Sequence, residues 1–296
     1  MKNSLRTLIA EPGPVVAPGV HDALGACLSA AAGAAAVAIS GFGVSASKLG
    51  SPDIGLLTLT EMVAAAREIS ASVDVPVMCD GDTGYGDSNN VRRAVTEFEA
   101  AGVASLMLED QVSPKRCSLQ GGVRVVDLDE YLPKLHGALD ARRSDEFLIV
   151  ARTDARAQHG LGEAIRRGRI YAEMGADIVF VEGIKTIDEA KRIRDGIPEV
   201  PLLYNIQEDS EYPYLLPGQA YDLGFQVIMY PIALTRLYAH AATQYLKALL
   251  KGEDTNLFVK DMADVSALED AVHLADWRRH ETEALNASAP SLLTSL

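Results

Sequence analysis

Short apolar runs recur along the chain, each introduced by a glycine. Gly33 leads into 34–40, Gly102 into 103–109, Gly175 into 176–182 and Gly224 into 225–230. Each reads as a helix ended by a glycine in the left-handed C′ position, followed by a short buried strand. The strands are nearly continuous in apolar residues, the pattern of a parallel sheet covered on both faces. Further strands fit at 15–18, 76–79, 147–151 and 201–204, which brings the number to about eight. Between them the spacing predicts helices over 22–32, 60–72, 89–101, 127–143, 161–174, 187–195 and 234–251.

Repeated βα units without a break in composition predict one α/β (β/α)₈ TIM barrel of ~250 residues. A doubly wound open sheet is the alternative. It would carry a glycine-rich phosphate turn after its first strand, and Pro18-Gly19-Val20-His21-Asp22 is not one. The expected organisation is a barrel over 1–251, a C-terminal helical extension over 252–285 for oligomer contacts, and a flexible tail over 286–296. In the extension Val265, Leu268, Val272, Leu274 and Trp277 recur at roughly helical spacing. The apolar face they predict needs a partner surface, either another subunit or the chain's own barrel.

Composition narrows the function classes. The chain has 296 residues, 48% of them hydrophobic, and a net charge of −14. That charge argues against a nucleic-acid surface, which needs a basic stripe. No apolar run reaches the ~18 residues of a membrane span. The first ten residues lack the apolar core of a signal peptide. Three scattered cysteines, Cys27, Cys79 and Cys117, fit a reduced cytoplasmic protein better than a disulfide framework.

In a barrel the chemistry sits at the C-terminal ends of the strands. Those ends here are Ser40, Asp80, Glu109, Arg152, Glu182 and Asn205. Each alone has a structural reading: Asp80 or Asp82 as a helix cap, Arg152 paired with Asp154, Asn205 in a turn. Together they favour a site. In the loop from Asp80 to Asp87, Asp80 and Asp82 alternate on a glycine-loosened segment, which suits a hard divalent cation. Mg²⁺ takes only one or two carboxylates directly and keeps several waters, and Glu109 stands one strand along to hold such a water. Ser40-Gly41-Phe42-Gly43 offers N–H groups and a hydroxyl to a carboxylate, with a plain turn as the alternative. Cys117 lies beside Lys115 and Arg116, and cations favour the thiolate. Such a thiol can exchange a proton with a carbon centre; an inert surface thiol is the alternative.

These residues carry a resemblance. Ser40-Gly41-Phe42-Gly43-Val44, Pro52-Asp53-Ile54-Gly55, the Asp80–Gly86 loop, Glu109-Asp110-Gln111, Pro114-Lys115-Arg116-Cys117, Ala151-Arg152-Thr153-Asp154-Ala155, Val181-Glu182-Gly183 and Asn205-Ile206 follow in order. The chain resembles the isocitrate lyase/phosphoenolpyruvate mutase superfamily, in its methylisocitrate lyase-like branch. The resemblance implies a barrel whose last helix is swapped between subunits, usually in a homotetramer. It implies Mg²⁺, with Mn²⁺ as the alternative ion, held by Asp80 directly and by Asp82 and Glu109 largely through water. It implies a small carboxylic acid substrate and an enolate intermediate stabilised by the metal. By the same resemblance Ser40, Gly41 and Phe42 hold a carboxylate, with Asp53 and Lys115 in the substrate-binding set. Arg152 binds the α-keto product, Glu182 and Asn205 orient the other fragment, and Cys117 donates the proton.

Two departures stand out. Lyases of this branch read Gly-His after the cysteine; this chain has Ser118-Leu119. After Asn205-Ile206 it has Gln207-Glu208-Asp209-Ser210 in place of a Thr-Glu-Phe-Gly-like segment, and the two acids are expected to discourage a second substrate carboxylate. Both changes point to a different or less anionic distal group. The expected activity is carbon–carbon cleavage of a substituted malate-like 2-hydroxy acid. The alternatives are an oxaloacetate-type decarboxylase or hydrolase, a carboxyphosphonoenolpyruvate mutase-like enzyme, or an inactive scaffold.

Overall fold

The computed structural model describes residues 4–288. Eight parallel strands close into a barrel in sequence order: β1 Val15–Val20, β2 Val37–Ile39, β3 Val77–Asp80, β4 Ser105–Glu109, β5 Leu148–Thr153, β6 Ile178–Val181, β7 Leu202–Asn205 and β8 Val227–Tyr230. β8 returns to β1, pairing Val15 with Val227. The predicted helices are present within one or two residues: α2 Ala23–Ala31, α4 Leu59–Ser72, α5 Ser88–Ala100, α6 Leu128–Ala141, α8 Leu161–Glu173, α9 Ile187–Gly196 and α11 Ala233–Leu250. Four short helices escaped the sequence pattern: α1 Leu5–Ala10, α3 Gly41–Val44, α7 Ala155–His159 and α10 Pro217–Asp222. Each has only one or two turns, too few for a 3.6-residue period to show.

Strand side chains alternate between two apolar layers. Ala38, Met78, Met107, Val150, Phe180, Leu203 and Met229 fill the barrel interior, where Leu5 of α1 joins them. Ile39, Cys79, Leu108, Ala151, Val181 and Tyr204 face the surrounding helices. This period of two continues past the strand ends and fixes where the polar residues point.

At the end of β4, Asp110 therefore turns outward, under the helices, and is fully buried. It accepts from Thr153 Oγ1 at 2.7 Å, the Asp154 N–H at 2.9 Å, Arg167 Nη1 at 2.9 Å and the Tyr171 hydroxyl at 2.8 Å. Burial raises its pKa, opposed by the donors around it.

By its internal contacts the chain divides into two compact units, Met1–Tyr238 and Ala239–Leu296. The boundary expected after 251 thus falls inside the second unit, because the later turns of α11 pair with the extension: Tyr245 meets Phe258 edge to face at 5.6 Å. The extension is broken into a 3₁₀ helix Thr255–Asp261 and two α-helices, α12 Val265–Ala271 and α13 Leu274–Ser288. His273 between them takes the left-handed conformation, with φ +61°, which breaks the helix that the apolar spacing predicts. Residues 286–288 of the expected tail end α13; the rest of it lies outside the described residues. Among the described residues no helix is long and apolar enough to cross a membrane.

Candidate active site

The alternation that buries Met78, Met107, Val150, Phe180 and Leu203 inside the barrel brings Asp80, Glu109, Arg152, Glu182 and Asn205 to its mouth, two residues further along each strand. Glu109 and Arg152 are register partners on β4 and β5. One cavity of ≈ 60 Å³ is lined by Ser40, Phe42, Asp53, Asp80, Glu109, Lys115, Cys117, Arg152, Glu182 and Asn205. These ten residues are all expected site residues. Gly41 and Asp82, the other two, stand against Asp80 and Lys115.

The Asp80 side and the cysteine loop are tied together by a buried lysine. Lys115 Nζ lies 2.6 Å from Asp53 Oδ1 and 2.9 Å from Asp82 Oδ1. Asp80 Oδ1 accepts the Asp82 N–H at 3.0 Å. Gly41 packs so closely that a Cβ there would lie 2.7 Å from Asp80 Oδ2. Asp82 itself has φ +47°, a conformation that non-glycine residues enter rarely. Neither aspartate caps a helix; Asp87 caps α5, accepting the Asn89 and Asn90 N–H groups at 2.9 and 3.3 Å. Ser40 does cap α3, its Oγ accepting the Gly43 N–H at 3.3 Å. That leaves its hydroxyl proton available to a carboxylate.

Gln111 holds the cysteine loop by both ends of its amide. Its Oε1 accepts the Arg116 N–H at 2.9 Å and its Nε2 donates to the Arg116 carbonyl at 3.1 Å. The Cys117 N–H donates to the Asp53 carbonyl at 3.3 Å. The loop thereby presents a half-buried thiol to the cavity.

On the far side, Asp154 clamps Arg152: Nε and Nη2 donate to its two oxygens, both at 2.8 Å. The pairing weighed as a purely structural reading of Arg152 is thus present, and it aims the guanidinium into the cavity. Nη1 lies 3.4 Å from Glu109 Oε2, Nη2 3.9 Å from Glu182 Oε2, and the Arg152 head stands 5.3 Å from the Phe180 ring centre. Glu182 Oε1 accepts from Ser118 Oγ at 3.0 Å, and Oε2 accepts from Asn205 Nδ2 at 3.5 Å.

Burial raises the Glu109 and Glu182 carboxyls, with Arg152 opposing in both cases. Burial also pushes Asp82 up to about 6, with Lys115 opposing. For Arg152 and Lys115 burial disfavours the charge, but the carboxylates around them more than offset it and raise both.

Three buried oxygens lining this site accept no hydrogen bond: Glu109 Oε1, Asn205 Oδ1 and Gln207 Oε1. A buried unmatched acceptor is costly, so such groups mark where a ligand's donors or cation belong. Among the described residues, no three His, Cys, Asp or Glu side chains converge to hold a metal alone. Asp82 is moreover engaged by Lys115. The set fits a cation only as one direct carboxylate with water-mediated neighbours, the habit of Mg²⁺.

Some of the site was not foreseen. Gln207 lines the cavity, whereas Glu208 and Asp209 do not. The two acids expected to repel a second carboxylate therefore leave that face to a neutral amide. Asp209 lines instead an outer cleft of ≈ 710 Å³ with Arg156, Lys185, Glu211 and Tyr212. The strand period offered a signal for Gln207, which lies two residues beyond the inward-facing Asn205.

The sequence model of the phosphoenolpyruvate phosphomutase family matches residues 5–250. The chain is 42% identical over 278 residues to 2,3-dimethylmalate lyase of Eubacterium barkeri, covering 94% of this chain and 96% of the relative. Among solved structures it is similar to oxaloacetate acetylhydrolase in complex with 3,3-difluorooxalacetate, with TM-score 0.90, 30% identity and 96% of each chain covered. It is also similar to phosphonopyruvate hydrolase complexed with oxalate and Mg²⁺, with TM-score 0.80, 28% identity, and 95% of this chain and 96% of the other covered. The chain belongs to the PEP mutase/isocitrate lyase superfamily.

Proposed function

We propose that the protein is a divalent-metal-dependent carbon–carbon lyase that cleaves a substituted malate-like 2-hydroxy acid. The observation that carries this reading is the shared cavity: a thiol, an arginine and a set of carboxylates reach one small space. A relative named for 2,3-dimethylmalate supports the substrate class. Dimethylmalate has two carboxylates where a tricarboxylate has three, in keeping with the neutral Gln207 face and the loss of Gly-His after the cysteine.

Asp80 would hold the cation, with Asp82 and Glu109 acting through water; the Mg²⁺ named in a structural neighbour supports the choice of ion, and Mn²⁺ is the alternative. When bound, a divalent cation supplies charge that stabilises the oxyanion developing on the keto fragment. The N–H groups and hydroxyl of the Ser40–Phe42 turn receive the substrate carboxylate. Arg152, held by Asp154, receives the oxygens of the nascent α-keto acid, and Asp53 keeps Lys115 beside them. Glu182 and Asn205 orient the departing fragment. A carboxylate lining the cavity would take the hydroxyl proton as the C2–C3 pair moves to C3 and a carbonyl forms at C2. The Cys117 thiol then protonates C3, leaving an α-keto acid and a second carboxylic acid.

Self-association is part of this proposal. Leu250, Leu257, Val265 and Trp277 of the second unit are 70–84% exposed, apolar surface that a second copy would cover. Reduced cysteines support a cytoplasmic setting. An oxaloacetate-type hydrolase is the second reading, favoured by the TM-score of 0.90 to such an enzyme. A panel of 2-hydroxy diacids of graded bulk and charge, assayed for keto-acid release with and without chelator, separates the readings. Release from dimethylmalate that stops on chelation supports the lyase. Oxalate and acetate from oxaloacetate, with no keto acid from any hydroxy acid, replaces it with the hydrolase.

A further inference from the structure

Ser118 stands where lyases of this branch carry glycine, and its side chain is engaged. Its Oγ donates to Glu182 Oε1 at 3.0 Å, which ties the loop after β4 to the end of β6. Ser118 and Glu182 both line the inner cavity of ≈ 60 Å³. Both also line a neighbouring cleft of ≈ 450 Å³, with Gly121, Gly122 and Tyr212. The hydrogen bond therefore lies in the wall between a chamber the size of a few water molecules and the open space outside it. The Tyr212 phenol stands beside the same hydroxyl. On the other side of the loop, Gln111 and the Asp53 carbonyl fix Arg116 and Cys117. Gln111 and the Asp53 carbonyl thus hold the loop up to the thiol, and the Ser118 hydroxyl ties the next residue to the end of β6.

We infer that Ser118 is a positioning residue for Cys117: its hydrogen bond to Glu182 latches the cysteine loop over the cavity and shuts the wall toward the outer cleft. A glycine there could not make this bond. The hydroxyl also occupies one oxygen of Glu182, so the substrate need not supply a donor at that point. The inference rests on Cys117 as the proton donor of the proposed lyase, but the latch can be read without turnover.

Iodoacetamide labelling of Cys117, with Cys117→Ser as the background control, reports loop opening directly. A hydrogen bond to a carboxylate holds an equilibrium by a factor on the order of ten or more, so Ser118→Ala should label on the order of tenfold faster. Its kcat should fall by a similar factor while KM moves less, because the strand-borne contacts to substrate remain. Ser118→Thr, which keeps the hydroxyl, should restore both, and all three proteins should melt alike. Unchanged labelling in Ser118→Ala, or a Thr variant as impaired as the Ala variant, overturns the latch. If wild type turns over no hydroxy acid, the lyase reading fails and the labelling ratio still decides on Ser118. A double-mutant cycle with Glu182→Gln should be non-additive in labelling.

Discussion

Glu109 and Asp110 are adjacent in sequence, both buried and both raised by that burial, yet they live in opposite electrostatic worlds. The strand period turns Asp110 toward the helices, where four donors meet it. It turns Glu109 into the barrel mouth, where among the described residues Oε1 has no hydrogen-bond partner and Arg152 approaches Oε2 at 3.4 Å. A carboxylate that holds the wall has its lone pairs matched from within the protein. One facing the cavity keeps a lone pair open for a ligand. The Asp110 network also reaches the site, since Thr153 and the Asp154 N–H belong to the segment that aims Arg152.

The sharpest way to break the contrast is to remove chemistry from the mouth without touching the wall. Cys117→Ser should lower turnover by about 10²-fold or more, the scale of losing a positioned acid. Calorimetry should still find metal and keto-acid binding, and the melting temperature should stay put. Unchanged turnover would rule out the thiol as the acid.

Next in size is the wall. Asp110→Ala takes the shared acceptor from four buried donors, leaving Arg167 to Glu163 and the Val126 carbonyl, and should cost about 3–5 kcal/mol of stability, read by urea unfolding. Glu109→Gln removes a poorly matched charge, so the metal-free protein should be at least as stable as wild type while metal affinity falls. If Glu109→Gln destabilised the protein as much as Asp110→Ala, the contrast would collapse.

A pH series sharpens it further. Asp82 is raised from 3.8 to about 6. A folded pKa above the unfolded one means that this group's stabilisation is complete below about 4 and is lost as pH rises through about 6. Metal-free protein should lose that contribution across this window. Divalent affinity should run the other way and weaken below about pH 6, because a cation competes with the proton. Urea unfolding of the metal-free protein at pH 5 and 8 checks the first sign, and titration calorimetry at the same two pH values checks the second. The smallest expected effect is on selectivity. Leu119→His restores a group that can donate to an anion and should shift preference toward a substrate with a third carboxylate by about tenfold.

Much of this was legible in the sequence because two periodicities do most of the placing. Apolar strands ending in Asp80, Glu109, Arg152, Glu182 and Asn205 announce a mouth, and the family motifs name its chemistry. What was not legible depends on contacts between segments distant in the chain. Nothing local says that Lys115 will sit between Asp53 and Asp82, or that Ser118 will find Glu182. The strand period points to Gln207 but would equally turn Asp209 inward; Asp209 takes a left-handed conformation, φ +59°, and lies outside the cavity, which composition does not show. The break at His273 was hidden for a related reason: helical spacing of apolar residues persists across a single left-handed residue.

Trp277 is the chain's only tryptophan and is 72% exposed on α13. The protein therefore carries its own optical reporter, placed on the proposed assembly face of the second unit. If subunits cover that face, emission should shift to the blue as concentration rises through the association range. Dilution then becomes a spectroscopic measurement of assembly that needs no label.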